Sequence, residues 1–577
     1  MSVKRDTRYL PNQKSRKLVG IIDNGNIMIR VCKSTLTLFV LISSANAQIH
    51  LIYDVNPPGY SWVCFNSSCM ELNDITDDGI NELAIGWPRA GFPDAALESG
   101  MIIIYDLIEK VEIDTILPPD PQAYYNFAWS FDIIHDNINE EIKGLIVSAP
   151  GYDTDLGYDY SGMIYIFDGL NSYPADSILS PNSELGGRFG WSVAGIGDVD
   201  NDGESEFVVS TPWEDPGESP DRAGMAYVYS GDSGELIHEL HSQNEEAYGY
   251  FGYDIIGLDD VDGDGSGDMA IGAYGEDGPG GLFDAGRVYI VNGGTGGTIR
   301  ILYSPNAEYS GYFGKAIAQI EDLDQDGIRD VLVGAPWEDS GDSPGMAGSA
   351  YVFSAGTGTC IHSFKSYNEE WNGFFGMAVA GTRDIDGDGY GEIAVGAPWE
   401  DKSEEEWNAG RVYVFSGGSG ELLQVLESPN MQKEGYYGSS ITGFGLTGNA
   451  GPLALAVGAP GEFDEHGRVY VYSAPVGVDE IPLIPDDYAL RIATMPVTDD
   501  GTELKFVLPE NGLVDLSIYD LNGRVLDRLV NASLERGVHT VRWHPGRGEG
   551  IRITSGTYVC TLRCKGGVIS RRIVVLR

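Results

Sequence analysis

The chain has 577 residues and a formal net charge of −51, with 87 Asp and Glu against 36 Lys and Arg. This acidity excludes nucleic acid and anionic membrane surfaces as favourable partners, because both would be repelled. The six cysteines form no C-x-x-C pair, so a zinc site is not expected.

Residues 1–47 are predicted to be an export signal and not part of the fold. Basic residues precede a short apolar run at Leu36–Ile42, and Ala45-Asn-Ala47 has the small residues of a cleavage site. The apolar run is too short to cross a bilayer, so no membrane span is expected. We predict Met28 as an alternative start and maturation at Gln48.

Residues 48–474 contain seven copies of a repeat with a period of 62 residues. Each copy opens on an aromatic residue: Phe65, Phe127, Phe189, Phe251, Phe313, Phe375 and Tyr437. A fixed period indicates a repeat architecture, and this length fits four short strands with their turns. In the fourth copy the strands are predicted near 251–258, 269–273, 286–291 and 298–303.

The two ends of the repeat region distinguish a closed ring from an open array. A fourth-strand pattern occurs at Ile49–Asn56, ahead of the first copy, whereas the seventh copy lacks one. The N-terminal strand is therefore predicted to complete the last copy, which would leave no free sheet edge. The predicted fold is all-β: a seven-bladed β-propeller followed by a small β-sandwich.

Acidic loops follow the first strand in five copies. Each carries oxygen-bearing side chains at positions 1, 3 and 5, a Gly at position 6 and a closing acid at position 9. Carboxylates so close together repel one another unless a cation lies among them, and hard oxygen ligands on a loop suit Ca²⁺. An EF-hand closes at position 12 between helices, whereas these loops have strands on both sides.

Four loops are complete and the fifth is weaker. The predicted ligands at positions 1, 3, 5, 7 and 9 are Asp198, Asp200, Asp202, Glu204 and Glu206; Asp260, Asp262, Asp264, Ser266 and Asp268; Asp322, Asp324, Asp326, Ile328 and Asp330; and Asp384, Asp386, Asp388, Tyr390 and Glu392. The weaker loop would use Asp74, Thr76, Asp78, Ile80 and Glu82. The alternative is a set of acidic turns without metal.

A Phe-Gly start, an acidic loop and a following Val-Gly-Ala-Pro, as at 333–336 and 395–398, together resemble the FG-GAP repeats of integrin α-subunit propellers. The resemblance covers about three quarters of the chain. It implies calcium in the loops, an extracellular adhesion role and a ligand on the opposite face. Copies two and seven depart from the loop pattern and are expected to be metal-free, with Asp136, Ile138, Glu140, Leu446, Gly448 and Ala450 at the aligned positions.

Aromatic and acidic residues recur in the turns at the other end of the sheets. Because turns alternate between the two ends of an up-and-down sheet, these turns lie opposite the acidic loops. The candidate ligand-binding residues are Trp213, Tyr248, Trp337, Trp371 and Trp399. The alternative is that each Trp only packs adjacent blades together.

The C-terminal region is predicted to be a linker at 475–487 and an Ig-like β-sandwich at 488–577. Asn522-Gly523 indicates a hairpin. The stretches 508–525, 537–543 and 555–559 resemble the Ig-like domains of flagellar hook-capping proteins and of type IX secretion sorting domains. This resemblance implies a bacterial surface or secreted protein that engages export machinery; the alternative is a stalk module without a sorting role.

No nucleophile elbow, P-loop or H-E-x-x-H motif is present. The acid pairs Glu338/Asp339 and Glu400/Asp401 imitate a glycosidase couple, but they recur from copy to copy, whereas a catalytic site usually breaks a repeat. We therefore expect a monomeric, non-enzymatic, calcium-binding adhesion protein with a protein or glycan ligand. The alternatives are a propeller-based carbohydrate-active hydrolase or lyase, and a purely structural surface protein.

Overall fold

The computed structural model describes residues 20–23, 26–29, 50–55, 69–72, 75–76, 81–90, 99–106, 111–119, 125–135, 142–154, 160–170, 173–200, 202–217, 220–339, 345–403, 406–444, 453–462, 467–473, 489–492, 502–508, 512–519, 524–534, 537–545, 556–565 and 567–575. Every regular element named within these ranges is a β-strand. The apolar run and cleavage site of the predicted signal, and the whole of the predicted linker, lie outside the described residues.

The strands before and within the first half of the repeat region run in chain order. They are β1 (Gly20–Asp23), β2 (Asn26–Ile29), β3 (His50–Val55), β4 (Cys69–Glu71), β5 (Leu83–Trp87), β6 (Met101–Asp106), β7 (Val111–Ile116), β8 (Phe131–His135), β9 (Ile142–Ala149), β10 (Met163–Asp168), β11 (Pro174–Leu179), β12 (Val193–Gly195), β13 (Phe207–Thr211), β14 (Met225–Tyr229) and β15 (Leu236–His241). β1 and β2 form a separate antiparallel hairpin.

The second half of the repeat region continues the same pattern. Its strands are β16 (Ile255–Leu258), β17 (Asp268–Ala273), β18 (Arg287–Asn292), β19 (Thr298–Leu302), β20 (Ala316–Ile320), β21 (Asp330–Ala335), β22 (Ser349–Phe353), β23 (Cys360–Lys365), β24 (Ala378–Gly381), β25 (Ile393–Ala397), β26 (Arg411–Phe415), β27 (Leu422–Glu427), β28 (Ser440–Gly443), β29 (Leu453–Ala459) and β30 (Arg468–Ser473). From β4 to β27, each run of four consecutive strands forms one antiparallel sheet. The four strands predicted for the fourth copy correspond to β16–β19.

The last sheet of the repeat region takes its fourth strand from the N-terminal end. Its order is β28-β29-β30-β3, and β3 pairs antiparallel with β30, from His50 opposite Ser473 to Val55 opposite Val469. The predicted pairing of the N-terminal strand is thus present in the structure. Within the described residues this gives seven four-stranded sheets in the repeat region.

Buried apolar clusters join each of these sheets to the next. The second strands are buried on both faces, so alternate side chains enter different clusters: Val331 and Val333 pack toward the preceding sheet, and Leu332 toward the following one. One such cluster joins the last sheet to the first, with Val55 and Val469 packed beside Ile85. The clusters therefore follow one another in a closed cycle.

From the second copy onward, the opening aromatic joins one sheet to its predecessor. Phe375 forms a parallel bridge with Gly348, and Phe127, Phe189 and Phe313 do the same with the corresponding glycines. A Cβ at Gly348 would lie 2.0 Å from the Phe375 carbonyl oxygen, and Gly348 has a φ of +88°. Only glycine fits this contact.

The C-terminal strands form two further sheets. They are β31 (Ala489–Ile492), β32 (Thr502–Leu508), β33 (Gly512–Tyr519), β34 (Val525–Leu534), β35 (Gly537–Trp543), β36 (Gly556–Cys564) and β37 (Gly567–Val575), in the orders β31-β32-β35 and β34-β33-β36-β37. One buried cluster draws Phe506 and Trp543 from the first sheet and Leu516 and Ile573 from the second. The predicted Asn522-Gly523 turn lies outside the described residues, between the paired strands β33 and β34.

Candidate functional site

Each of the four complete acidic loops gathers three carboxylates at positions 1, 3 and 9. One carboxylate oxygen from each member of a trio lies within 4.8 Å of the others. The trios are Asp198, Asp200 and Glu206; Asp260, Asp262 and Asp268; Asp322, Asp324 and Asp330; and Asp384, Asp386 and Glu392. Oxygen ligands grouped in this way suit a hard divalent cation.

Main-chain hydrogen bonds fold each loop around its trio. In the loop of Asp322, the Gly327 N–H donates to the Asp322 carboxylate at 2.8 Å, and the Leu323 N–H donates to Asp330 at 2.8 Å. Gly327 has a φ of +93°, which makes glycine the natural residue at position 6. Asp330 also starts β21, so the sheet fixes the closing acid while the loop turns back toward it.

The carboxylates at position 5 lie outside the trios. Asp264 accepts a hydrogen bond from the Asn292 side chain at 2.7 Å, and Asp388 accepts one from the Ser416 hydroxyl at 2.9 Å. Both partners stand at or just after the end of a third strand, in the turn beside the loop. The predicted ligands Asp202, Asp264, Asp326 and Asp388 are thus near the trios but not among the grouped oxygens.

Side chains at position 7 share no chemistry: Glu204, Ser266, Ile328 and Tyr390. Glu204 pairs with Lys143 at 2.9 Å, and the Tyr390 hydroxyl accepts from Gln325 at 2.5 Å. Ile328 offers no side-chain oxygen. The ligand that all four loops can supply at this position is the main-chain carbonyl, as at position 7 of an EF-hand.

Burial dominates the electrostatics of the closing acids. Desolvation raises the pKa of Glu206 to about 7, of Asp268 to about 6, of Asp330 to about 7 and of Glu392 to about 8, and the carboxylates of the same loop add to the rise. A buried carboxylate without a counter-charge is therefore protonated more readily than an exposed one. A bound dication would displace that proton, because the ligand must be ionised.

The weaker loop is only partly described. Glu82 is buried and accepts hydrogen bonds from the Ile75 N–H at 2.6 Å and from the Thr76 hydroxyl at 2.8 Å. Asp74, Asp78 and Ile80 lie outside the described residues, as do the aligned loop positions of copies two and seven apart from their neighbouring strands.

At the opposite end, aromatic side chains form a row that runs from sheet to sheet. Ring-centroid distances are 4.5 Å for Trp191–Trp213, 5.0 Å for Tyr250–Tyr274, 5.0 Å for Tyr312–Trp337, 4.8 Å for Trp337–Phe374, 5.1 Å for Phe374–Trp399 and 5.5 Å for Trp399–Tyr436. Trp213, Trp337 and Trp399 are half-buried within this row. These contacts join neighbouring sheets, and a ligand-binding role for the three tryptophans stays a prediction.

The two remaining aromatic candidates are exposed. Tyr248 is 48% and Trp371 is 68% exposed, and both lie in loops that lead from a fourth strand to the next sheet. These loops are tied to the neighbouring ones: Glu246 accepts the Asp277 N–H at 2.7 Å. The same bond recurs in later copies, so the loops are held in place.

The acid pairs Glu338/Asp339 and Glu400/Asp401, which resemble the two catalytic carboxylates of a glycosidase, have structural hydrogen bonds. Glu338 is fully buried and accepts from the Tyr351 hydroxyl at 2.5 Å, and Glu400 accepts from Tyr413 at 2.6 Å. Asp339 accepts the Met346 N–H at 2.7 Å, which closes its own loop. The tyrosines recur with the 62-residue period, and that recurrence is the signal from which this network could have been predicted.

A cavity of about 480 Å³ lies between the first strands of the sheets, lined by Trp191, Tyr253, Asp254 and Lys315 among others. The Lys315 amine lies 3.8 Å from the Tyr253 ring centroid and 4.2 Å from that of Tyr274. Desolvation lowers the pKa of Lys315 to about 7 and raises that of Asp254 to about 7. Lys315 stands where earlier copies have Trp191 and Tyr253, a break in the repeat that sequence reasoning missed.

The family model for the FG-GAP repeat matches residues 189–229, 313–353 and 375–415. These copies are FG-GAP repeats. The chain is similar to integrin alpha-5 of Xenopus laevis (31% identity over 36% of this chain and 20% of the relative), to integrin alpha-V of Gallus gallus (29%, 50% and 26%) and to integrin alpha-3 of Cricetulus griseus (34%, 28% and 15%).

The predicted resemblance to integrin α-like FG-GAP propellers is confirmed. The chain spans about a quarter or less of the length of these relatives. No helix among the described residues is long and apolar enough to cross a membrane. The resemblance of the C-terminal region to sorting domains stays a prediction.

Proposed function

We propose that the FG-GAP region is a seven-bladed β-propeller that acts as a calcium-stabilised binding or adhesion module outside the cell. The closed cycle of buried clusters and the pairing of β3 with β30 support the ring. The likeness to integrin α-subunits supports the adhesion role. The two C-terminal sheets, with their shared core, support an Ig-like sandwich that would engage export machinery.

The observation that carries this proposal is the division of chemistry between the two ends of the sheets. Carboxylate trios occupy the turns at one end, and aromatic and acidic loops occupy the other. Calcium at the first end would neutralise the repulsion among the trios and fix the turns between first and second strands. A protein or glycan ligand would then bind the second end, whose loops are tied together by hydrogen bonds.

The calcium ligands would be the carboxylates at positions 1, 3 and 9 of each complete loop. The position-5 carboxylate would turn toward the ion, and position 7 would contribute its main-chain carbonyl. In the loop of Asp260, this means Asp260, Asp262, Asp264, Ser266 and Asp268. Four ions are expected in this way, and the loop from Asp74 to Glu82 is a fifth candidate.

Binding without turnover is the expected behaviour of the ligand face. Glu338 and Glu400 are fully buried and hydrogen-bonded to tyrosines, so neither is placed to protonate a bound substrate. This favours the binding module over the carbohydrate-active alternative.

The proposal is tested by measuring attachment of the full chain to a panel of immobilised extracellular-matrix proteins and polysaccharides, in calcium and in chelator. We expect saturable attachment to at least one member, weaker in chelator, with the size of the bound polymer unchanged. The proposal would be contradicted if the chain attached saturably to no member of the panel, or if shortened products of the polymer were released.

A further inference from the structure

Three exposed aromatic rings recur on consecutive loops of the face opposite the acidic loops. Tyr309 and Trp371 are one repeat period apart, and Tyr248 stands one residue from the same position in the preceding copy. Their side chains are 48% (Tyr248), 69% (Tyr309) and 68% (Trp371) exposed. These three residues are called the aromatic rim.

Each ring of the rim rests on a residue of the neighbouring loop. The Arg222 guanidinium lies 5.7 Å from the centroid of Tyr248, and Phe283 stacks on Tyr309 at 5.3 Å with an interplanar angle of 25°. Trp371 lies beside Gly345, where an added Cβ would stand 3.4 Å from the nearest ring atom. The chain thus supports one face of Tyr248 and of Tyr309 and lies against the ring of Trp371, and much of each ring is open to solvent.

The loops that carry the aromatic rim are fixed by hydrogen bonds to neighbouring loops. Glu308 accepts the Asp339 N–H at 2.9 Å, and Glu370 accepts the Asp401 N–H at 2.7 Å. The Ser310 N–H also donates to the Phe283 carbonyl at 2.9 Å. A supported ring on a fixed loop loses little conformational entropy when it binds, which favours affinity.

Charge limits what the rim can bind. Glu246, Glu308 and Glu370 stand in the same loops as the rings, in a chain of net charge −51. These carboxylates repel phosphorylated, sulfated or uronate-bearing polymers. They would, however, accept hydrogen bonds from hydroxyl groups.

The spacing of the rings further narrows the ligand class. They stand on separate loops among polar residues, whereas the centre of a stable protein interface is a continuous, desolvated apolar patch. A ligand built from identical units can meet the same contact on successive copies. Sugar rings provide such a unit, with an apolar C–H face that stacks on an aromatic ring and hydroxyls at its edge.

We propose that the aromatic rim binds an uncharged polysaccharide, with one sugar ring stacked on each of Tyr248, Tyr309 and Trp371. The inference rests on the proposed binding function and specifies its ligand class. Once one sugar of the polymer is bound, its neighbours are at a high effective concentration near the other rings. Several weak stacking contacts along one polysaccharide then give a higher overall affinity.

The test is affinity electrophoresis of the full chain through gels that contain hydroxyethyl cellulose, galactomannan, xyloglucan or polygalacturonate. We expect retardation by at least one of the three uncharged polymers and none by polygalacturonate. Tyr309→Ala and Trp371→Ala should each raise the dissociation constant roughly tenfold, the loss of about 1.4 kcal/mol per contact. The double variant should lose more than either single one.

Tyr173→Ala is the matched control. Tyr173 is 80% exposed in a turn between a third and a fourth strand, at the end that carries the acidic loops. This variant should bind as the parent does, and Trp371→Phe, which keeps a ring, should retain most of the affinity. Equal unfolding midpoints would show that all the variants fold.

Two results would overturn the inference. One is retardation that survives in the double variant, because the polymer would then bind elsewhere. The other is no retardation by any uncharged polymer while the chain attaches to a matrix protein, in which case the binding function stands and the ligand class is wrong. Failure to attach to proteins and polysaccharides alike would remove the proposed function as well.

Discussion

Among the described residues, a buried contact between a glutamate and a tyrosine recurs in five sheets. Glu214, Glu276, Glu338, Glu400 and Glu462 are all fully buried, and each accepts from a tyrosine hydroxyl on the third strand of its own sheet. An acid buried in this way is tolerated only while its hydrogen bonds are intact. The contact thus specifies where the long turn after the second strand must pack.

Removing one such hydroxyl should destabilise the chain. Tyr351→Phe removes the tyrosine hydroxyl that donates to the buried Glu338 carboxylate, and we expect a fall of about 1–3 kcal/mol in the free energy of unfolding. Denaturant unfolding with calcium present measures the change. Tyr309→Phe, which removes an exposed hydroxyl, should change the same quantity by less than about 0.5 kcal/mol.

Burial of Glu338 also predicts a pH dependence. Desolvation raises its pKa to about 7 from an ordinary value of 4.5. The folded chain then binds more protons than the unfolded chain between these values, so the contribution to stability is present below pH 4.5 and is lost as the pH rises through 7. We expect Glu338→Gln to show a smaller loss of unfolding midpoint between pH 5.5 and 7.5 than the parent.

The control for this effect is Glu239→Gln, which changes an exposed glutamate and should leave the pH dependence of the parent intact. An identical pH dependence in the parent and in Glu338→Gln would contradict the assignment.

At the scale of the element, each acidic loop forms a carboxylate trio of its own, which the sheet supports. Its closing acid lies in or beside the second strand, and its turn closes through the glycine at position 6. The four complete loops therefore predict four metal contributions, with the loops of Asp322 and Asp384 joined by the Gln325–Tyr390 hydrogen bond. A site held at about 100 times its dissociation constant adds roughly 2.7 kcal/mol to stability.

Asp322→Ala should reduce the bound calcium by one ion per chain and lower the unfolding midpoint in calcium, with little change in chelator. Metal analysis and thermal unfolding measure the two effects. Glu421→Ala removes an exposed acid from the turn between β26 and β27, at the same end of the sheets, and should keep the full complement. An unchanged metal content in Asp322→Ala would mean that this loop binds none.

The strands and the carboxylate trios could be predicted because they repeat. A period of 62 residues aligns Asp260 with Asp322 and Asp384, and alternation of apolar residues places strands such as β17 and β21. The position of the fifth-residue carboxylate outside the trio could not be predicted, because its hydrogen-bond partner, such as Asn292, comes from another strand of the sheet. Such a contact depends on strand pairing, which local patterns do not show.

The aromatic candidates show a different limit of sequence reasoning. Trp337 and Trp371 are both tryptophans in loops at the same end, but one is half-buried in the aromatic row and the other is exposed. The difference arises from neighbours, since Trp337 contacts Tyr312 and Phe374 whereas Trp371 lies beside Gly345. The break at Lys315 was visible in the alignment of copies but was not recognised as meaningful.

For the whole molecule, the pairing of β3 with β30 decides whether the sheet cycle closes. Deleting residues 48–56 should expose the edge of β30, lower the unfolding midpoint and cause self-association, because an unpaired edge recruits other strands. Size-exclusion chromatography with light scattering measures the association. A chain that stays monomeric and equally stable would show that β3 is dispensable.

The same segment offers its own control. His50 lies opposite Ser473, so a two-residue turn can connect them when the deleted strand is inserted after Ser473. This permuted chain should regain the midpoint and the monomeric state of the parent.

Closure by β3 also imposes an order on biosynthesis. The strand is among the first parts of this region to be made, but its partner β30 is made about 420 residues later. At ribosomal speeds of about 5–20 residues per second, β3 must wait roughly 20–80 seconds for that partner. Throughout this interval the growing chain has two unsatisfied edges, so a chaperone has time to bind them before β3 and β30 can pair.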